Sequence, residues 1–256
     1  MNVYANPVYY EIAFSFFDVK KQVDAFEEII KRFSKIKVNR FLDVACGPSL
    51  QLREIARRGY EAFGLDISPE MLKYLSEKAK EEGLKIQTVQ TDMAKFKLEE
   101  KVDFAFIMMG SLEFASNKEF LSHLDSLADS LKKGGLYFIQ NKAVDWTSNP
   151  EQSWDSERNG ITVKTNYKTR WKSILDQIIT ETITLEVNDH GRKTIFKSEW
   201  DIKFVFPQEF KTLIVVNGKF EFLGWWEGIE STWLLDKPLE AAKSPTNFNM
   251  VLLRRK

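Results

Sequence analysis

Apolar positions along the chain change period several times, and each change predicts an element. From Val19 onward, Val23, Phe26, Ile30 and Phe33 recur at helical spacing and form one face suited to packing on a sheet. Phe41, Leu42, Val44 and Ala45 make a short apolar run ending in Cys46-Gly47-Pro48, and Leu50, Leu52, Ile55 and Ala56 then return to helical spacing up to Gly59. Residues 40–59 therefore read as strand, tight turn and helix. Glu61 to Leu65 reads as a second strand ending at Asp66, and Ser68 with Pro69 supplies the N-cap and first-turn proline of a helix that buries Met71, Leu72, Leu75 and Ala79. A third strand spans Lys85 to Gln90 and a fourth Val102 to Met109. Ser116 with Glu119 fits a capping box, opening a helix that carries Phe120, Leu124 and Leu127 and ends at Lys132-Lys133-Gly134-Gly135 before a fifth strand, Leu136 to Gln140. Strands alternating with helices predict an α/β fold with a doubly wound, mostly parallel sheet.

Past the fifth strand the period falls to two. Ile161, Val163, Thr165, Tyr167, Thr169 and Trp171 point one way, and Lys164, Lys168, Arg170 and Lys172 the other. After the turn signal Asn188-Asp189-His190-Gly191, Phe196, Trp200, Ile202, Phe204 and Phe206 alternate with polar residues. These segments predict three long antiparallel strands in an antiparallel β insertion, residues 143–206, set into a core of residues 1–142 and 207–256. A helix is expected after Pro207, and Lys219 to Trp226 with Phe248 to Leu253 forms a last antiparallel pair. The core sheet is thus seven-stranded with an antiparallel last strand. All 7 tryptophans follow Val144, which predicts an apolar surface distinct from the first half: a substrate cap, a dimer interface or the insertion's own core.

Composition narrows the function classes. Across 256 residues, 37 Lys+Arg balance 37 Asp+Glu, which argues against a general polyanion-binding surface, so no nucleic acid is expected. The single Cys46 excludes an intrachain disulfide, and the absence of a signal pattern or long apolar span predicts a cytoplasmic protein without a membrane segment. Two histidines and one cysteine, far apart in sequence, predict no metal site.

The chemistry concentrates in and after the first turn. Gly47 lets the backbone turn sharply and approach a ligand, and the following helix starts with unpaired N–H groups. Asp43 interrupts a buried strand, where a carboxylate is costly unless paired; a cationic ligand group is one partner of the right charge. Asp66, about 20 residues past the glycine turn, stands where a carboxylate accepts the ribose hydroxyls of an adenosine. That spacing alone serves S-adenosylmethionine and NAD equally; the fingerprint GxGxxG of the dinucleotide folds is absent. The loop Gly110-Ser111-Leu112-Glu113-Phe114 follows the fourth strand, beyond whose end a ligand should sit.

LDVACGPS followed by GLDIS resembles motif I and the next acidic motif of class I S-adenosylmethionine-dependent methyltransferases, whose usual form is LDxxCGxG, and LKKGGLYFI resembles the family's LKPGG signature before the fifth strand. The sequence departs from that form at Ser49, where the family's next glycine normally stands, preceded by Pro48. The resemblance covers Tyr9 to Ile139 and the C-terminal strand pair. It implies S-adenosylmethionine as cofactor: Asp43 and the Cys46-Gly47 backbone beside the methionine moiety, Asp66 at the ribose and Asp92-Met93 at the adenine. Ala45, Ser49, Ile67 and Met109 complete that cofactor-binding set. It further implies methyl transfer to a small-molecule acceptor by in-line displacement, with Glu113, Tyr10 and Asn141 as candidate bases. An N-terminal segment that closes over the cofactor would bring in Tyr9 or Tyr10. Three alternatives stand beside this: a protein or RNA methyltransferase using the basic row of the insertion, an NAD-linked oxidoreductase, and a noncatalytic ligand-binding or interaction protein. The chain is expected to act as a monomer or as a homodimer through the insertion.

Overall fold

Strand β1 (Arg40–Val44) sits at the centre of the fold, paired in parallel with β2 (Glu61–Asp66) on one side and β4 (Val102–Ile107) on the other. The computed structural model describes residues 2–142, 151–229, 232–238 and 248–256. Strand β3 (Ile86–Gln90) closes one edge, and β5 (Leu131–Lys142) lies parallel to β4. β12 (Phe248–Arg255) is antiparallel to β5, and β10 (Phe220–Ile229) is antiparallel to β12. These seven strands follow the expected pattern, and the structure adds an eighth, β11 (Thr232–Pro238), antiparallel at the β10 edge. Because the chain leaves β1 for β2 on one side and returns as β4 on the other, the sheet has a topological switch point beyond the C-terminal end of β1, where such sheets bind ligands.

Alternation along β1 fills both faces of the sheet. Phe41 packs on one side with Phe26, Phe104 and Phe106, under α2 (Val19–Phe33) and α3 (Leu50–Arg57); Leu42 and Val44 pack on the other, under α5 (Asn117–Ser130) and α6 (Pro207–Asn217). Ile29, not Ile30, carries the buried stripe of α2. Helix α4 (Pro69–Glu81) starts on the expected cap, with the Ser68 hydroxyl accepting from the Met71 amide. Helix α5 ends at Ser130, short of the Lys-Lys-Gly-Gly signal, because Leu131 is already extended and pairs with Val102.

The insertion forms a separate antiparallel sheet of four strands among the described residues, one more than the period-two pattern predicts. They are β6 (Glu151–Arg158), β7 (Ile161–Ser173), β8 (Ile178–Asp189) and β9 (Arg192–Lys203). His190 and Gly191, both at positive φ, make the two-residue turn between β8 and β9. The basic row on β7 is exposed, and Val163, Thr165 and Thr169 face inward. That inner face holds the N-terminal segment: Val3, then Ile12 and Ala13 of α1 (Pro7–Ala13), pack with Val163, Ile183, Leu185 and Phe196. Full burial of a side chain such as Ile12 stabilises by roughly 1.5–3 kcal/mol, so the N-terminal segment is anchored rather than loosely draped. The five tryptophans with described side chains do not form one surface: Trp154 meets Phe14, Trp171 meets Phe204, Trp200 meets Tyr4, Trp225 meets Phe222 and Trp226 meets Phe33. The side chains of Trp146 and Trp233 lie outside the described residues.

Candidate active site

The turn after β1 concentrates strain. Among the described residues, six non-glycine residues have positive φ; three of them, Asn159, Gln177 and His190, lie at the hairpin turns of the inserted sheet. The other three, Ala45 (54°), Ser49 (28°) and Met109 (58°), line one cavity at the ends of β1 and β4. Left-handed backbone at such residues costs of order 1–3 kcal/mol each and gathers where function requires a fixed shape. Gly47, at φ 52°, lies in the same turn, and a Cβ there would meet no atom within 4 Å, so space remains above the turn for a bound group.

Two carboxylates flank that turn. Asp43, on β1, is buried, and the Ser49 hydroxyl donates to its Oδ2 at 2.6 Å. Burial pushes the Asp43 carboxyl well above the usual carboxylate range; the Ser49 bond pulls it back in part, and the neighbouring Asp66 charge raises it further. Asp66 accepts from the Gly47 amide at 2.7 Å and the Ser68 amide at 2.8 Å, tying the turn to the end of β2. Its carboxyl is also raised by burial, against the pull of those amides. Among the described residues, the partners of the two carboxylates are the Ser49 hydroxyl and the Gly47 and Ser68 amides, with no Lys or Arg side chain paired to either. The pair therefore forms a desolvated negative site that a positively charged ligand would stabilise and a phosphate would not.

Ser49 explains its own departure from the glycine pattern. Its Oγ also accepts from the Leu52 amide at 3.0 Å, so one hydroxyl caps α3 and holds the Asp43 carboxylate. Cys46 is buried, with its thiol pushed up by burial and by both nearby carboxylates, which suits a packing role. Its room is made by Gly64 on β2, where a Cβ would lie 2.8 Å from the Cys46 sulfur. A glycine within a strand signals such a close approach, and Gly64 is a site-shaping residue that the motif reading passes over.

Tyr10 lines the Asp43 cavity with Cys46, Gly47, Met108 and Ser111, whereas Tyr9 turns away and donates to Asp189 at 2.9 Å. Ile67 is exposed just beyond Asp66. Asp92, exposed, accepts from the Ala94 amide at 2.7 Å, and Asp92 and Met93 line a neighbouring groove with Glu113 and Trp200. Met93 is fixed from below, its carbonyl 2.8 Å from Nδ1 of His123. His123 is fully buried, also bound at Nε2 to the Tyr137 hydroxyl at 3.0 Å, and burial lowers its pKa to about 4; it is structural. Of the three base candidates, Tyr10 and Glu113 lie on different cavities, and the side chain of Asn141 lies outside the described residues. His190 is exposed in its turn. Among the described residues, no group of three His, Cys, Asp or Glu is placed to hold a metal ion.

The inserted sheet meets this site directly. Trp200 of β9 donates from Nε1 to Glu113 at 2.8 Å, and the Lys203 amide donates to the Phe114 carbonyl at 2.8 Å. Sequence periodicity places Trp200 on an apolar face but carries no signal of this long-range contact. On the opposite side Glu11 of α1, buried in the wall of the Asp43 cavity, accepts from Arg53 of α3 at 2.8 Å and Arg158 of β6 at 2.6 Å. Trp154 of β6 donates to the Ala13 carbonyl at 2.7 Å, so α1 is clamped between α3 and the inserted sheet beside the cavity.

Comparison with known proteins agrees with this fold. Residues 41–135, from β1 to the glycine pair in β5, match a family model described as a methyltransferase domain. A ubiquinone biosynthesis O-methyltransferase of Nitrosococcus oceani is 28% identical over 119 residues, 44% of this chain and 47% of the relative. The chain thus spans about half the length of the curated relative it matches. An S-adenosylmethionine-dependent methyltransferase from Clostridium acetobutylicum superposes with a TM-score of 0.76 over 97% of this chain and 96% of its own, at 16% identity. A sugar N-methyltransferase from a Streptoalloteichus species gives a TM-score of 0.71 at 18% identity, over 93% of this chain and 89% of its own. The chain has the class I methyltransferase fold, and its segment 41–135 is similar to a methyltransferase domain. The likeness to the two solved structures extends through the inserted sheet.

Proposed function

We propose that the chain transfers a methyl group from S-adenosylmethionine to a small-molecule acceptor. The observation that carries this reading is the desolvated carboxylate pair, Asp43 and Asp66, around a strained turn with open space above Gly47. S-Adenosylmethionine brings an ammonium and a sulfonium to such a site; NAD brings a pyrophosphate, which the same carboxylates repel. In this reading Asp43, Ala45, Cys46, Gly47 and Ser49 hold the methionine end, Asp66 and Ile67 the ribose side, and Asp92, Met93 and Met109 the adenine side and the rim. When bound, the cofactor supplies a methyl carbon made electrophilic by its sulfonium. The chain contributes position and exclusion of water: α1 and the inserted sheet roof the cavity, and the loop after β4 presents the acceptor. The insertion acts as a cap on its own chain, an arrangement supported by the Trp200–Glu113 and Lys203–Phe114 contacts. Small-molecule methylation is supported by the likeness to the ubiquinone-pathway relative and the sugar N-methyltransferase.

The reading is tested at Asp66. Asp66→Ala should weaken S-adenosylmethionine binding by roughly tenfold or more, the usual loss on removing a charge-assisted hydrogen bond. Calorimetric affinity equal to that of the wild type, in a variant with unchanged circular dichroism, would refute the assignment.

A further inference from the structure

A second cavity lies between the two sheets next to the Asp43 cavity. The loop after β4 divides them: Met109 and Ser111 face the first, Gly110 and Leu112 to Phe114 the second. Its walls are largely apolar, with Leu112, Phe114, Phe120 and Phe210 on one side and Ile179 and Ile202 of the inserted sheet on the other. Three ionisable residues line it: Glu113, Glu181 and Lys203. The Lys203 ammonium is drawn to the Asp176 carbonyl, the Gln177 side-chain oxygen and Glu209, so its charge is already engaged. Glu181, on β8, has no exposed surface. In the β8–β9 ladder it stands directly opposite Trp200, and opposed residues of an antiparallel pair project from the same face. Trp200 in turn donates to Glu113 at 2.8 Å, so β9 presents on one face the indole that holds Glu113 and is the register partner of Glu181. The rings continue from Trp200 through Tyr4 to Tyr10 in the wall of the first cavity, at centroid spacings of 5.9 and 5.7 Å.

We propose that the second cavity is the acceptor site and selects a small amine, bound as its ammonium ion, with Glu181 and Glu113 as the specificity-determining residues. This rests on the methyl-transfer reading above. An apolar chamber with acidic groups and aromatic faces favours a cation with an apolar body over a neutral or anionic molecule of the same shape. It also accounts for the inserted sheet, which supplies Glu181 and Trp200. Glu113, at the border with the first cavity, takes a proton from the bound ammonium and frees the nitrogen lone pair. The nitrogen forms its bond to the methyl carbon as the carbon–sulfur bond breaks and that electron pair stays on sulfur. The product leaves as the methylated ammonium, and the proton passes from Glu113 to solvent, so charge and atoms balance.

The experiment uses the whole chain saturated with S-adenosylhomocysteine and titrates it with cyclohexylammonium, cyclohexanol and cyclohexanecarboxylate, followed by saturation-transfer NMR. The expected result is that the ammonium binds at least about tenfold more tightly than the alcohol, with the carboxylate weakest. Glu181→Gln should reduce that preference to about threefold or less while S-adenosylhomocysteine affinity stays within about threefold of the wild type. Trp200→Phe, which keeps the ring and removes the donor, serves as the second variant should Glu181→Gln fail to fold. Equal or tighter binding of the alcohol or carboxylate overturns the proposal, as does no binding of any of the three to the loaded wild type, or a preference that survives both substitutions. Failure of the wild type to bind S-adenosylhomocysteine would instead remove the methyl-transfer reading and the amine site with it.

Discussion

Replacing Ser49 separates two roles of one hydroxyl. Ser49→Ala removes the cap on α3, worth about 1 kcal/mol, and the bond to buried Asp43, worth about 1.5–3 kcal/mol when the carboxylate is charged. The second part depends on pH. Because burial raises the folded-state pKa of Asp43, this residue favours folding below the unfolded carboxylate value, near 3.8, and that contribution is lost as pH rises through the folded value. The Ser49 bond lowers the Asp43 pKa, so its removal raises it further and enlarges the loss at neutral pH. Ser49→Ala should therefore cost less at pH 5 than at pH 8, rising from about 1 kcal/mol when Asp43 is protonated to about 3 kcal/mol when it is charged. For a chain of this size the larger value corresponds to a fall in Tm of roughly 6–12 °C. Ser49→Gly should lose less at both pH values, since glycine accepts the 28° φ without strain. Urea unfolding at pH 5 and pH 8 measures the difference, and Asp43→Asn provides the control, since in that background the pH dependence of the Ser49→Ala cost should vanish. A cost equal at both pH values, or a dependence that persists in the Asp43→Asn background, would refute the coupling.

Other substitutions probe the supports of the site. The pKa of His123, lowered from 6.5 to about 4, contributes stability above pH 6.5 that falls away as pH drops toward 4, by about 3 kcal/mol in total; His123→Gln should abolish that slope in a pH series of urea unfolding. Glu11→Ala leaves Arg53 without its buried partner and unclamps α1, so it should destabilise by about 3 kcal/mol in chemical denaturation, whereas an effect under about 1 kcal/mol would contradict the clamp. Gly64→Ala drives a methyl against the Cys46 sulfur at 2.8 Å and should cost about 1–3 kcal/mol while weakening S-adenosylmethionine binding; unchanged calorimetric affinity would show that Cys46 does not shape the turn.

How much of this is legible in the sequence follows the range of the forces involved. Local signals define β1, its turn and α3, the Ser68-Pro69 start of α4, and the His190-Gly191 hairpin, because caps, turn residues and periodicity act within a few positions. Strand β6 escapes the period-two pattern because EQSWDSER offers Trp154 as its sole large apolar side chain, although Asn159-Gly160, the turn that joins it to β7, is a readable hairpin signal. Strand β11 escapes because it is a short edge strand ending in Pro238. Ser49 reads in sequence as a simple departure from a glycine pattern; its link to Asp43 emerges only when the turn is folded. Glu181 and Trp200 cannot be associated from sequence at all, since strand register brings them together, and Glu113 joins them from 87 positions before Trp200.

The central claim is that the carboxylate-flanked turn holds a cationic adenosyl ligand. It is tested most directly by calorimetric titration of the purified, ligand-free chain with S-adenosylmethionine, S-adenosylhomocysteine and NAD. The account predicts one-to-one binding of both sulfur ligands and no response to NAD. Folded protein that binds neither sulfur ligand, or binds NAD in their place, would contradict it.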